Sequence, residues 1–450
     1  MKRKIYEKLL DWKENSKGKT AILIDGARRV GKSYIAEEFA KNNYKSYILI
    51  DFYKAPDEIK DLFNIYLDDL DKLFLYLSNY YDVELYERET LFIFDEIQFF
   101  PRARAAIKYL VADHRYDYIE TGSLVSIKEN VQDILIPSEE EHLKLYPMDF
   151  EEFLWAMGDE KSVDFMRMCF ENNKPMGEVM HRKVMDFFRL YLIIGGMPQV
   201  VSEYITTKDF KAVDKAKRTI LTMYRNDIRQ HAKKYSLKAE NVFDNIPSQL
   251  QKHEKKFKIT SLDKDARNRD YDDVFMWLDD AMIVNRAFNT TEPSIGLSLN
   301  SDDSTMKCFM ADTGLLISHS FDENGITEEE IYKKILFNKL EFNGGMLLEN
   351  MVSQMLVANN HKLFFFSKPS RDEKNDRMEI DFLIQKRNIT NRHNISPLEV
   401  KSGKNYTTNS LSKFINKYKN NLDKAYVIHT NDFKIENDII YLPIYMLIFL

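Results

Sequence analysis

Residues 26–33 read Gly-Ala-Arg-Arg-Val-Gly-Lys-Ser, and no other stretch restricts the fold of this chain as tightly. The octet follows the apolar run "AILI" and precedes "YIAEEFA", where Ile35, Ala36, Phe39 and Ala40 recur at helical spacing. Strand, glycine loop and helix in that order make a cradle for phosphate. Gly26 and Gly31 let the backbone turn so that N–H groups from Ala27, Arg28, Arg29 and Val30 through to Tyr34 face inward. Lys32, expected at the exposed loop edge, brings a point charge to the β- and γ-phosphates, and Ser33 brings a hydroxyl to a metal ion. The positive end of the helix faces the same anion. The ligands this pattern asks for are ATP and Mg2+.

A second strand end belongs with the first. "TLFIFDEIQ" places Asp95 and Glu96 after four apolar residues. Asp95 is expected to hold the metal ion and Glu96 to polarise the attacking water. "YIETGSL" ends a later strand at Thr121, a polar residue suited to sensing the γ-phosphate. Between residues 20 and 125, short apolar runs alternate with helical stretches, which predicts a parallel sheet covered on both faces. Helical spacing also marks residues 2–15, and residues 59–81 read as one long helix.

The remainder divides by pattern. Residues 156–235 read as helix, broken by "GGMP". Residues 236–320 combine short helical runs, including "SLDKDARNRD", with the strand-like "IVNRAFN" and "MKCFMAD", an order that suits a small helical module with a β-wing. Residues 325–450 start with a helix and continue with the strands "KLFFFSK", "MEIDFLIQ", "SPLEVKS" and "KAYVIHT". The resulting expectation is a multidomain α/β chain: a P-loop domain over 1–155, a helical segment over 156–235, a winged-helix-like module over 236–320 and an α/β domain over 325–450.

Chemistry recurs in that last domain. Asp381 sits in "EIDFLI", Glu399 and Lys401 in "LEVKSG", and Glu349 in the preceding helix. Glu399 and Lys401 lie two apart on a strand and so share a face. If the strands pair, Glu349, Asp381 and Glu399 can bind Mg2+ while Lys401 works on a water attacking a phosphodiester. The same residues also suit a fold that recognises without cutting. In the middle module, Lys252, Lys255, Lys256, Lys258, Lys264, Arg267 and Arg269, interleaved with Phe257 and Tyr271, are candidates for phosphate contact with DNA. Five acids are mixed among them, which equally suits a solvated face.

Composition narrows the partners. The net charge of −6 argues against a polycation that coats nucleic acid and leaves room for a local basic patch. Cys169 and Cys308 stand far apart with no metal-ligand spacing, as in a reducing, cytoplasmic setting. The basic N-terminus lacks the apolar core of a signal peptide, and "DIIYLPIYMLIFL" is too short to span a bilayer, so no membrane partner is expected.

Taken together, "GARRVGKS", "LFIFDEIQ", "TGS", "LYPMDFEEFL", "YLIIGGMPQVV", "YRNDI", "ARNRDYDDVFMWLDDAMIV", "ADTGLL" and "LLEN…EIDFLI…LEVKSG" resemble a bacterial and archaeal family of AAA-type ATPases. Its members join an N-terminal P-loop domain to a C-terminal region of unknown function. The resemblance implies an ATP-binding domain, a helical segment, a winged-helix-like module and a PD-(D/E)XK-like C-terminal domain, with assembly into homo-oligomers through the ATPase domain. It also implies a Gly-Arg shortly before the "LYP" phrase. Here residues 133–144 read "DILIPSEEEHLK", so a nucleotide-sensing cation would have to come from elsewhere, with Arg225 and Arg229 as candidates.

Overall fold

The computed structural model describes residues 1–123, 138–252, 255–294, 296–321, 332–334, 344–368, 378–386, 393–403 and 405–450. The chain forms two compact units, Met1–Tyr146 and Pro147–Leu450. Residues 369–377 and 387–392 and most of 320–345 lie outside the described residues.

The first unit is built on five parallel strands: β1 (Ala21–Asp25), β2 (Ser46–Asp51), β3 (Thr90–Asp95), β4 (Asp117–Gly122) and β5 (Glu140–Lys144). Their order across the sheet is β2-β3-β4-β1-β5. Alternating side chains give the sheet two apolar faces. Ile22 and Ile24 pack with Ile35, Phe39, Leu9 and Trp12 on one side, against the helices Ile5–Ser16 and Lys32–Asn43. Leu23, Phe92 and Phe94 pack with Phe63, Leu73 and Ile107 on the other, against Asp57–Ile65, Leu70–Tyr81 and Pro101–Ala112. The long helix expected over 59–81 is two helices, because the Asp69 side chain accepts the Lys72 N–H at 3.2 Å and starts a second one. β5 escaped the sequence reading because "EEHLK" is a charged edge strand rather than an apolar run.

The second unit opens with helices. Asp149 and Glu152 form a reciprocal capping box at the start of Phe150–Ala156. The "LYPM", "GGMP" and "ADTGLL" phrases meet in one place. The Met148 N–H donates to Gly196 O at 2.7 Å, and the buried Asp312 carboxylate accepts from Gly196 N at 2.6 Å and Leu315 N at 2.8 Å. A Cβ on Gly314 would stand 2.3 Å from Ile194 O.

Eight strands follow: β6 (Val284–Thr290), β7 (Ser301–Met310), β8 (Leu363–Lys368), β9 (Met378–Gln385), β10 (Ile395–Val400), β11 (Ala425–His429), β12 (Lys434–Glu436) and β13 (Ile439–Pro443). They make one mixed sheet in the order β12-β13-β11-β10-β9-β8-β6-β7. Here the structure departs from the expected domain plan. The β6–β7 hairpin is no free wing, since β6 pairs parallel with β8 and extends the C-terminal sheet. The apolar residues of "IVNRAFN" find their partners in "KLFFFSK", so 236–320 and 325–450 share one sheet. "SLDKDARNRD", expected as a helix, begins at the end of the 3-10 turn Ile259–Ser261 and ends in another, Asn268–Asp270. The division after Tyr146 also gives "MDFEEFL" to the second unit instead of a first domain ending at 155.

Gly314→Ala is expected to destabilise the protein by about 1–3 kcal/mol or more, because the clash is with backbone and cannot be relieved by a rotamer change. Urea unfolding of the full chain measures it, and an unchanged midpoint would show that the contact relaxes freely.

Candidate nucleotide site

The site of the first unit lies at the C-terminal ends of the strands, where open parallel sheets hold ligands. β1 ends at Asp25 and the chain turns through Gly26–Gly31 into the helix Lys32–Asn43. Gly31 has φ 97° and closes the loop in a conformation that suits glycine. Gly26 is required for a different reason: a Cβ there would stand 2.4 Å from Leu145 O. Val30 is buried under the loop, while Arg28 and Arg29 face solvent. Tyr34 is exposed and its hydroxyl accepts from the N-terminal amine of Met1 at 3.4 Å.

Lys32 is not at an exposed edge. Its side chain is buried, and its ammonium donates to Gly26 O at 2.9 Å and Ala27 O at 3.1 Å. Burial lowers its pKa, while Glu96, Asp95 and Asp25 oppose the shift. Asp95 is the convergence point. Its Oδ1 accepts the Ser33 hydroxyl at 2.7 Å and also the Thr121 hydroxyl. Thr121 Oγ1 in turn accepts the Glu96 N–H at 3.4 Å. Glu96 has φ 53°, an uncommon left-handed conformation for a non-glycine residue and one that recurs at functional sites. Its carboxylate accepts from Gln98 Nε2. Ammonium, two hydroxyls and two carboxylates at one strand edge, beside a loop that only glycine can form at Gly26, fit the phosphates of a nucleotide and a hard divalent cation.

Three residues here were not singled out from the sequence. Gln98 holds Glu96. Arg3 donates to Val30 O at 3.1 Å and Tyr146 O at 2.6 Å, pinning the outside of the loop, and nothing in its N-terminal spacing signals that role. Asp25 is buried with both carboxyl oxygens lacking a hydrogen-bond partner, and burial pushes its pKa up. The two arginines considered as nucleotide sensors are engaged within the second unit, Arg225 with Asp244 at 2.9 Å and Arg229 with Glu240.

The C-terminal residues are gathered differently from the expectation. Asp381 Oδ2 accepts the Val400 N–H at 2.8 Å, and Lys401 pairs with Glu399 at 2.6 Å. Among the described residues, no three His, Cys, Asp or Glu side chains are placed to share one metal ion. Leu383 pairs with Phe364 and Ile380 with Phe366, so β9 carries an extra residue at Asp381–Phe382. Ile380 and Leu383 both join the core under the helix Asn409–Tyr418, which turns Asp381 to the other side of the sheet. Glu399 pairs with Val427, a member of that helix-side core, and so faces the helix.

On the Asp381 side, the Lys307 ammonium lies 3.7 Å from Glu349, 3.7 Å from Glu379 and 3.9 Å from Asp381. Lys307 is 1% exposed. Burial opposes its charge, yet Glu349, Asp381 and Glu379 hold its pKa above the ordinary value. Lys255 also pairs with Glu349, which removes it from the basic stretch expected to touch DNA, and Arg269 lies 3.8 Å from Asp270.

Residues 18–154 match a family described as AAA domain. Residues 185–326 and 344–447 match two families described as domains of unknown function, DUF8612 and DUF4143. No curated protein matches the chain. Among solved structures, a Walker-type ATPase of Pyrococcus abyssi is similar at 17% identity, covering 70% of this chain and 94% of its own, with a TM-score of 0.40. The ORC1 protein of Aeropyrum pernix, solved in complex with DNA, is similar at 10% identity over 72% of this chain and 94% of its own, with a TM-score of 0.28. The family match to an AAA domain covers the site of the first unit.

Lys307→Met is expected to cost roughly 3 kcal/mol, the low end for breaking a buried ion pair, because its contacts are 3.7–3.9 Å long. Glu349 already has a raised pKa, from burial and then from Asp381, and losing the ammonium raises it further. A carboxyl titrating higher when folded than when unfolded adds stability as pH falls through its folded value. The deficit of the variant should therefore shrink between about pH 7 and about pH 5 in parallel urea titrations. A pH-independent deficit would mean that Lys307 acts by packing alone.

Proposed function

We propose that this chain is a Mg2+-dependent ATPase whose nucleotide cycle is coupled to recognition of nucleic acid by its second unit. The observation that carries the first half is the convergence of Ser33 and Thr121 on Asp95, with Glu96 tied to the same threonine. The ATP phosphates lie against the 26–33 loop, where Lys32 and the helix N-terminus meet their charge. Ser33 and Asp95 would hold Mg2+, which when bound offsets charge developing on the transferring phosphate. Glu96 orients a water for attack on the γ-phosphorus and takes its proton, while the β–γ bridging bond breaks and ADP leaves. Thr121 keeps the acid pair in register with the end of β4. A cation from a second copy, assembled through the ATPase domain, would supply what residues 133–144 lack.

For the C-terminal sheet, the reading favoured over phosphodiester cleavage is recognition without cutting. It is supported by the Lys307 ammonium standing among the carboxylates of Glu349, Glu379 and Asp381. No single described helix is long and apolar enough to cross a membrane, and a cytoplasmic setting is part of this proposal.

Turnover and binding by the full chain test it. Glu96→Gln is expected to keep ATP affinity and lose on the order of 10²-fold or more in kcat. Lys32→Ala is expected to remove measurable ATP binding and, because two loop carbonyls lose their donor, to lower Tm as well. Unchanged kcat in the first variant or unchanged affinity in the second would overturn the assignment.

A further inference from the structure

Between residues 401 and 424 the chain carries six lysines and one aspartate, in a protein whose net charge is −6. The helix Asn409–Tyr418 lies at the centre of this segment. It buries Leu411, Phe414 and Tyr418 against Met378, Ile380 and Val427. Its outer side, continued into the following turn, presents Ser412, Lys413, Asn416, Lys417, Lys419 and Asn420 to solvent. Lys413 and Lys417 are one helical turn apart, about 6 Å along the axis.

Several basic residues elsewhere in this unit are held in ion pairs, as with Lys255 on Glu349, Arg225 on Asp244 and Lys386 on Asp423. Among the described residues, Lys413, Lys417, Lys419 and Lys424 make no ion pair. Two carboxylates are close in the fold: Asp423, already held by Lys386 at 2.6 Å, and Glu292, whose charge reaches Tyr418. Lys417 lies over the Tyr418 ring at 5.5 Å from its centroid. The surface therefore has cations without counter-charges, and amides and a hydroxyl between them.

We infer that the outer face of the helix Asn409–Tyr418 binds the phosphodiester backbone of a nucleic acid, independently of sequence. The inference rests on the nucleic-acid reading above and names the surface that performs it. Lysine with asparagine and serine is the donor set that phosphate oxygens take up, and neutralising phosphates releases counterions. An anionic lipid surface fits less well. A membrane-lying helix needs large apolar side chains at the interface, and this helix exposes none among its described residues. The surface is also separated from the Lys307 cluster. Met378 and Ile380 face the helix, whereas Glu379 and Asp381 point to the other side of the sheet. A backbone held on the helix lies on the opposite side of the sheet from the Lys307 cluster.

The test is fluorescence anisotropy of the full chain with a labelled duplex DNA of about 30 base pairs and a duplex RNA of the same length, across a salt series. The variant carries Lys413→Gln, Lys417→Gln and Lys419→Gln together, with the corresponding Lys→Arg triple as its control. The Gln triple is expected to weaken binding of the preferred duplex more than about 10-fold and to lower the slope of log affinity against log salt by about 2–3. The Arg triple retains both. Tm and basal ATP turnover stay at wild-type values in both variants, because all three lysines are exposed and far in sequence from the loop. If wild type binds a duplex and the Gln triple binds it equally, the surface is wrong while the nucleic-acid reading stands. If wild type binds neither duplex, both fail. Charge-dependent capture by phosphatidylserine vesicles without duplex binding would also overturn the inference and assign the lysines to lipid.

Discussion

Asp95 accepts the Ser33 hydroxyl at 2.7 Å, and the first unit is organised around what makes that contact possible. Ser33 begins a helix and Asp95 ends a strand, and β4 lies between β1 and β3 in the sheet. The parallel arrangement brings all three strand ends to one edge, so Thr121 of β4 also reaches Asp95. Two apolar faces keep the strands in register. The glycine at position 26 allows the chain at Leu145 to pass against the loop, and Arg3 fastens the loop from outside. A polar cluster with a buried ammonium is costly unless its members satisfy one another, which the carbonyls of Gly26 and Ala27 do for Lys32.

The second unit turns on a different balance. Glu349, Glu379 and Asp381 would repel one another in a half-buried setting, and the ammonium of Lys307 stands between them. Asp381 also accepts the Val400 N–H, while the neighbouring Glu399 pairs with Lys401. A sheet of this kind keeps the residue types of a metal-dependent site while using them as internal ion pairs.

The phosphate loop was legible because its signal is local. Glycines, lysine and serine at fixed offsets, between a strand and a helix, specify one geometry. Asp95, Glu96 and Thr121 were legible because each ends an apolar run. What the sequence did not reveal depends on contacts distant along the chain. The pairing of β6 with β8 is one case, since "IVNRAFN" carries no mark of its partner. The burial of Lys307 is another, and it follows directly from that pairing. A single extra residue in β9 is invisible to a period-two pattern, yet it decides which side Asp381 faces. In the basic stretch at 252–269, the commitment of Lys255 to Glu349 is likewise a distant contact that composition does not mark. "GGMP" and "ADTGLL" proved to be structural, joined through Asp312 and the close approach at Gly314.

The central claim is that Ser33 and Asp95 hold the metal that accompanies ATP. Electron paramagnetic resonance of Mn2+ titrated into the full chain with a non-hydrolysable ATP analogue measures this directly. Tight Mn2+ binding that needs the analogue in wild type, and is weakened at least about 10-fold by Asp95→Asn and by Ser33→Ala, is the predicted result, in keeping with loss of a hard oxygen ligand. Analogue-dependent Mn2+ binding that is identical in wild type and both variants would contradict the account.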